Sequence, residues 1–175
     1  MHDASTAFNL SVLVLRVALG IVFLAHGINH VFRGGKIAGT GRWFESLGMK
    51  PGRLHAWLAS LTEMGSGVLF ALGLLTPLAG AGVVGTMVVA WITNHRKNGF
   101  FIFRPGEGYE YVMTLTFAGA AAGMLGAGKW SVDHAADIFD PPGWEGFWIV
   151  LVAGFGGAAG LLATFWRPPR PVEAT

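Results

Sequence analysis

The chain has 175 residues, of which 53% are hydrophobic and only 13% charged, with a net charge of +2 and a mean hydropathy of +0.52. A soluble domain carries about 25% charged residues, so Asp, Glu, Lys and Arg are too few here to cover a soluble surface, and lipid must face much of the chain. The lack of cysteine excludes disulfides, thiolate metal sites and iron–sulfur ligation, and basic residues that lie in loops, Arg16 apart, are read as topology and give no nucleic-acid footprint.

The segment Leu10 to Phe32 organises the rest. A helix needs about 20 apolar residues to cross a bilayer, and this run predicts a first span over about residues 8–32. The residues before it include Asp3 and no Lys or Arg, unlike the positive start of a secretory signal. We therefore expect an uncleaved span. It carries Arg16, Asn29, His26 and His30; on a helical wheel Arg16 and the two histidines fall within an arc of about 80°. A charge and two imidazoles inside a span need partners or water, and so mark where other helices converge.

Arg33 to Arg53 is a Gly-rich basic loop, within which GRWFESLGM predicts a short interfacial helix with Trp43, Phe44 and Leu47 against lipid. A second span, about 54–75, is interrupted by Glu63. Thr76-Pro77 is a tight turn, and Pro77 suits the first turn of a third span, about 77–95, where its missing N–H does no harm. A second basic loop runs from His95 to Gly108. A fourth span, about 109–127, opens with Glu110 and Tyr111. An acidic loop with Asp133, Asp137, Asp140 and Pro141-Pro142 leads to a fifth span, about 146–166, and a polar tail over 167–175.

The expected fold is an all-α membrane protein: one domain over 1–166, built as a four-helix transmembrane bundle plus a fifth C-terminal transmembrane helix. With the N-terminus outside, ten Lys and Arg residues fall on the inner side and only Lys129 on the outer. The positive-inside rule selects this orientation and a cytoplasmic tail. Trp144, Trp148 and Trp166 sit where an interfacial aromatic belt would lie. The pairs Gly119/Gly123 and Gly156/Gly160 have the spacing that lets helices approach closely.

Helix rise places His30 about 3 Å, His26 about 9 Å and Arg16 about 24 Å above the inner end of the first span, and Glu63 about 14 Å up the second. Asn94 and His95 close the third span at that end, and Glu110 and Tyr111 open the fourth. Antiparallel neighbours thus bring His26, His30, Glu63, Asn94, His95, Glu110 and Tyr111 into the inner half of one bundle. An ionised carboxylate at mid-membrane costs several kcal/mol unless paired or protonated. Glu63 is therefore read either as a structural partner of Arg16 or as a proton-handling or ligand-binding carboxylate. The i,i+4 spacing of His26 and His30 puts both on one face, but a metal or haem site would also need His95 or a carboxylate from another helix. No P-loop, dinucleotide fingerprint or hydrolase relay is present.

RVALGIVFLAHG, EMGSGVLFALGLLTPLAG, NGFF, GYEYVMTL and GKWSVDHA, in that order over most of residues 15–136, resemble the DoxX family of small bacterial membrane proteins. The resemblance implies a four-helix membrane core in the bacterial plasma membrane. It also implies a link to redox systems: relatives include a subunit of a thiosulfate:quinone oxidoreductase and mycobacterial proteins tied to superoxide dismutase and a sulfurtransferase. The family's Arg, His and Glu positions match Arg16, His26, Glu63 and Glu110. The fifth span and the loop before it depart from the pattern. The reading that follows is a subunit of a quinone-linked oxidoreductase or oxidative-stress complex, with redox protein partners and possible oligomers. The competing readings are a non-catalytic scaffold and a transporter of small solutes or protons.

Overall fold

The computed structural model describes residues 4–138, 141 and 143–169. The expectations placed on Asp3, Asp140, Pro142, Arg170 and the remainder of the tail lie outside them. Every regular element among the described residues is helical: α1 Ala4–Phe32, α2 Lys36–Ser46, α3 Gly52–Leu72, α4 Thr76–Thr93, a 3-10 turn His95–Lys97, α5 Glu110–Leu125, α6 Val132–Ala135 and α7 Trp144–Phe165. Three of them, α1 from Ser5, α4 and α7, are long and apolar enough by themselves to cross a membrane. α3 carries Arg53 and Glu63, and α5 is only 16 residues long. The long helices alternate in direction between a basic end, formed by the Arg33–Arg53 and His95–Gly108 loops, and an acidic end around Asp133.

Small residues decide which helices touch. α1 packs along α3, and a side chain added at Gly67 would lie 2.8 Å from Leu24 N and 2.9 Å from Gly20 O. α4 packs on α5 in the same way, since a Cβ added at Gly80 would lie 2.8 Å from Gly119 O, and on α7, where Gly154 lies against Val84 and Ala81. With lipid outside as apolar as the core, such close packing rather than water exclusion holds helices together. The expectation of close approach holds for Gly119 and Gly123. It fails for Gly156 and Gly160, which have nothing within 4 Å because they lie on the face of α7 turned away from α4. α7 is wound as a π-helix over Val150–Phe155, and Val150 is fully buried there.

The main core joins Leu19 and Phe23 of α1, Phe70 of α3, Val83 of α4 and Leu115 of α5. A second cluster of Ile37, Phe44, Met49 and Ala56 ties α2 to the start of α3. Phe44 therefore points inward and not to lipid, because α2 lies across α3 with Gly41 against Gly52 and Arg53. The outward faces carry apolar side chains instead, such as Val14, Ile21, Leu61 and Phe117. An apolar outside over a helical bundle is what a membrane protein presents to lipid.

Candidate functional site

A cavity of about 650 Å³ opens in the basic half of the bundle. Its apolar arm runs between Leu58, Ala59 and Thr62 of α3, Gly82, Gly85 and Thr86 of α4, and Gly154, Gly157 and Leu161 of α7. Among its lining glycines Gly157 borders open space, with nothing within 4 Å of where a Cβ would stand, whereas Gly82, Gly85 and Gly154 pack closely on Ser66, Gly154 and Val84. Its polar arm is lined by His26, His30, Glu63, Asn94, His95, Glu107 and Tyr111. An apolar hollow of this size with a few convergent polar groups has the make-up of a small-molecule site.

Glu63 is 4% exposed, and its Oε2 lies 3.4 Å from His30 Nε2. That contact is an ion-pair distance and not a hydrogen bond, and Oε2 has no hydrogen-bond partner among the described residues. Counting from helix ends put His30 and Glu63 about 11 Å apart in height. They meet because α1 and α3 are staggered: the first turns of α3 extend past the end of α1 and pack against α2. A buried carboxylate oxygen left unmatched costs free energy, so Glu63 is the group in this wall that most needs a partner.

His26 is exposed at the rim. Its Nε2 lies 3.3 Å from the Tyr111 hydroxyl, and the two rings stack at 6.0 Å. His26, Tyr111 and Glu63 also line one small adjoining void with Phe23 and Leu115. His95 is buried; its Nδ1–H donates to Glu107 O at 2.8 Å, and its Nε2 faces Asn94 Nδ2 at 3.3 Å. Both nitrogens of that ring are thus engaged by protein. Glu110 does not line the cavity. It is the first residue of α5, where its N–H donates to Phe100 O, and its side chain lies on another face of the helix from Tyr111. No three His, Asp or Glu side chains gather as a metal-ligand set among the described residues.

The pairing of Arg16 with Glu63 is corrected by the structure. Arg16 is 1% exposed and its guanidinium donates to Phe70 O at 2.9 Å and Trp130 O at 2.7 Å. Phe70 lies two turns beyond Glu63 on α3, about 10 Å nearer the acidic end by helix rise. There Arg16 joins a clasp. Lys129 N donates to Asn9 Oδ1 at 2.7 Å, and Leu75 N donates to Asp133 Oδ1 at 3.0 Å. The clasp ties α1, the α3–α4 turn and the loop after α5 together, with Gly73 and Leu75 in the left-handed region.

Two lining residues escape a reading of the sequence alone. Glu107 sits in a loop whose path no local pattern gives. His55 lies in the first turn of α3, where it looks interfacial, yet it is 2% exposed. The one available signal is the wheel, on which His55 and Glu63 stand about 80° apart on α3.

The DoxX family model matches residues 11–96. A protein of Bacillus subtilis (strain 168) named "Putative oxidoreductase CatD" is 32% identical over 110 residues, 63% of this chain and 76% of the relative. A protein of Mycobacterium tuberculosis (strain ATCC 25618 / H37Rv) named "Uncharacterized membrane protein Rv3486" is 30% identical over 133 residues, 71% of this chain and 80% of the relative. No solved structure matches. The chain belongs to the DoxX family and is a membrane protein.

Proposed function

We propose that this DoxX-family protein is a quinone-binding subunit of a membrane oxidoreductase or oxidative-stress complex in the bacterial plasma membrane, and that Glu63 and His30 form its proton-handling pair. The reading includes five spans, with α3 and α5 crossing beside α1, α4 and α7, the N-terminus outside and the tail in the cytoplasm. The excess of Lys and Arg at the basic end supports that orientation.

The observation that carries the functional reading is a buried carboxylate, unmatched at Oε2 and 3.4 Å from an imidazole, on the wall of an otherwise apolar cavity. The printed name of the Bacillus relative, an oxidoreductase, points the same way. A quinone fits such a wall: it needs an apolar slot and groups that hydrogen-bond its carbonyl oxygens, and on reduction it takes up two electrons and two protons. In this reading the electrons come from a partner redox protein or a bound cofactor. The residues here handle protons and position. Glu63 and His30 exchange a proton through one water or a ligand oxygen between them. Tyr111 and His26 stand at the rim, on a path from the basic end to Glu63.

The test uses membrane vesicles and purified protein in parallel. Glu63→Gln keeps the shape of the side chain and removes its acid–base chemistry. We expect it to fold, to melt near the wild type, and to lower quinone reduction by vesicles by about 10²-fold, the low end of what one general acid–base group supplies. Vesicles lacking the protein that reduce quinone as fast as those containing it would refute the redox reading and leave a scaffold.

A further inference from the structure

One buried polar group in the cavity takes no part in the scheme above. His55 is 2% exposed and lines the cavity, and neither ring nitrogen has a hydrogen-bond partner among the described residues. The ring is held by packing alone, edge-on to Phe165 of α7 at 5.1 Å and tilted against Phe44 of α2 at 6.5 Å. His95, the other buried imidazole of this half, has both nitrogens engaged. Native interiors satisfy nearly all buried polar groups, so an imidazole unmet on both sides calls for a specific reason.

Its position supplies one. Glu63 is eight residues further along α3, about 12 Å by helix rise, which is longer than a single quinone ring. The wall between them is mostly apolar and includes Leu58, Ala59 and Thr62, and Leu58 is exposed. A group entering from the lipid beside α3 and α7 therefore comes up against the His55 ring well apart from Glu63; both ring nitrogens lie below the surface of the wall, so the ring must turn about its side-chain bonds to present its N–H. A neutral imidazole offers one N–H donor and one acceptor nitrogen.

We propose that His55 is a second ligand-binding residue, donating its N–H to a carbonyl oxygen on a chain-bearing apolar molecule whose chain lies in the arm between α3, α4 and α7. The inference shares its cavity with the proposed function but does not require the ligand to be a quinone. A quinone carbonyl and the ester carbonyl of a membrane lipid present the same acceptor, and the experiment separates them.

Purified wild type, His55→Phe, His55→Gln and Glu63→Gln are titrated with a benzoquinone bearing a decyl chain, followed by tryptophan fluorescence, since Trp43 lines the cavity. Native mass spectrometry of the same samples reads any retained lipid. His55→Phe is expected to melt at or above the wild type, because it removes an unmet polar group, and to bind the probe about tenfold more weakly, the size of one hydrogen bond. His55→Gln keeps an N–H donor and stays within about threefold. If the wild type ignores the quinone yet carries a lipid mass that His55→Phe loses, His55 stands as the site, the source is lipid, and the quinone reading falls. If the wild type binds the quinone and His55→Phe binds it equally with the same lipid complement, the assignment of His55 is overturned while the quinone reading survives. A wild type that holds neither overturns both. Should His55→Phe fail to fold, His55→Leu makes the same comparison.

Discussion

Glycines at the α1–α3 crossing and glycines on the outer face of α7 look alike in the sequence but answer differently to one methyl group. In Gly67→Ala the new Cβ would lie 2.8 Å from Leu24 N and 2.9 Å from Gly20 O, both backbone atoms. That is about 0.5 Å short of ordinary contact, and backbone cannot rotate away as a side-chain tip can, so the helices must part. Overpacking of this kind costs about 1–3 kcal/mol, and the better helix propensity of Ala returns up to about 1 kcal/mol. With the full return, the net expectation is a loss of about 0–2 kcal/mol. In Gly160→Ala nothing lies within 4 Å, so only the propensity remains, a gain of up to about 1 kcal/mol. Equilibrium unfolding in mixed micelles, followed by tryptophan fluorescence, measures both. Equal shifts would refute the packing argument. A larger loss at Gly160 would mean that the outer face of α7 is itself packed against another chain.

The clasp at the acidic end gives two further expectations. Arg16→Lys keeps the charge but loses the fork that serves Phe70 O and Trp130 O together; a drop of roughly 1.5–3 kcal/mol in the same unfolding assay is expected for the lost bond, and an unchanged midpoint would show that the fork is not needed. Asp133→Ala leaves Leu75 N–H without its acceptor and should cost about 1–3 kcal/mol, whereas Asp133→Asn keeps a carbonyl oxygen and should stay close to the wild type. If the two Asp133 variants unfold together, the Leu75 contact is not what holds the turn.

Much of this architecture is legible in the sequence because a membrane leaves so few ways to satisfy a backbone. The five long helices begin and end within four residues of the runs read from hydropathy, since an apolar run bounded by Gly, Pro and charges has little freedom. Six of the seven candidate residues, all but Glu110, line the cavity. Glu110 misses it because one helical step from Tyr111 turns a side chain by about 100°. What the sequence hides is the relative height of neighbouring helices. Measured from helix ends, Arg16 and His30 stood about equally far in height from Glu63, roughly 10 and 11 Å, because the count assumes that α1 and α3 end level. The overhang of α3, covered by α2 and by Phe165 of α7, removes that assumption and buries His55 as well. Such overhangs depend on contacts between distant segments, and no local pattern encodes them.

The two polar groupings on α1 and α3 are linked through this register. The Gly20–Gly67 crossing brings the backbones together, but along a smooth glycine seam a helix can slide. Arg16 fixes the slide at one end by holding Phe70 O and Trp130 O at once. A slip of one turn, about 5.4 Å, would break that fork and would also carry His30 out of reach of Glu63, since the two are already 3.4 Å apart. Arg16 therefore acts on the cavity from a distance, by setting the height at which α1 presents its imidazoles to α3. A buried cation tied to backbone carbonyls suits this task better than an ion pair with Glu63 would. It leaves the carboxylate unmatched at Oε2, on a residue that lines the cavity.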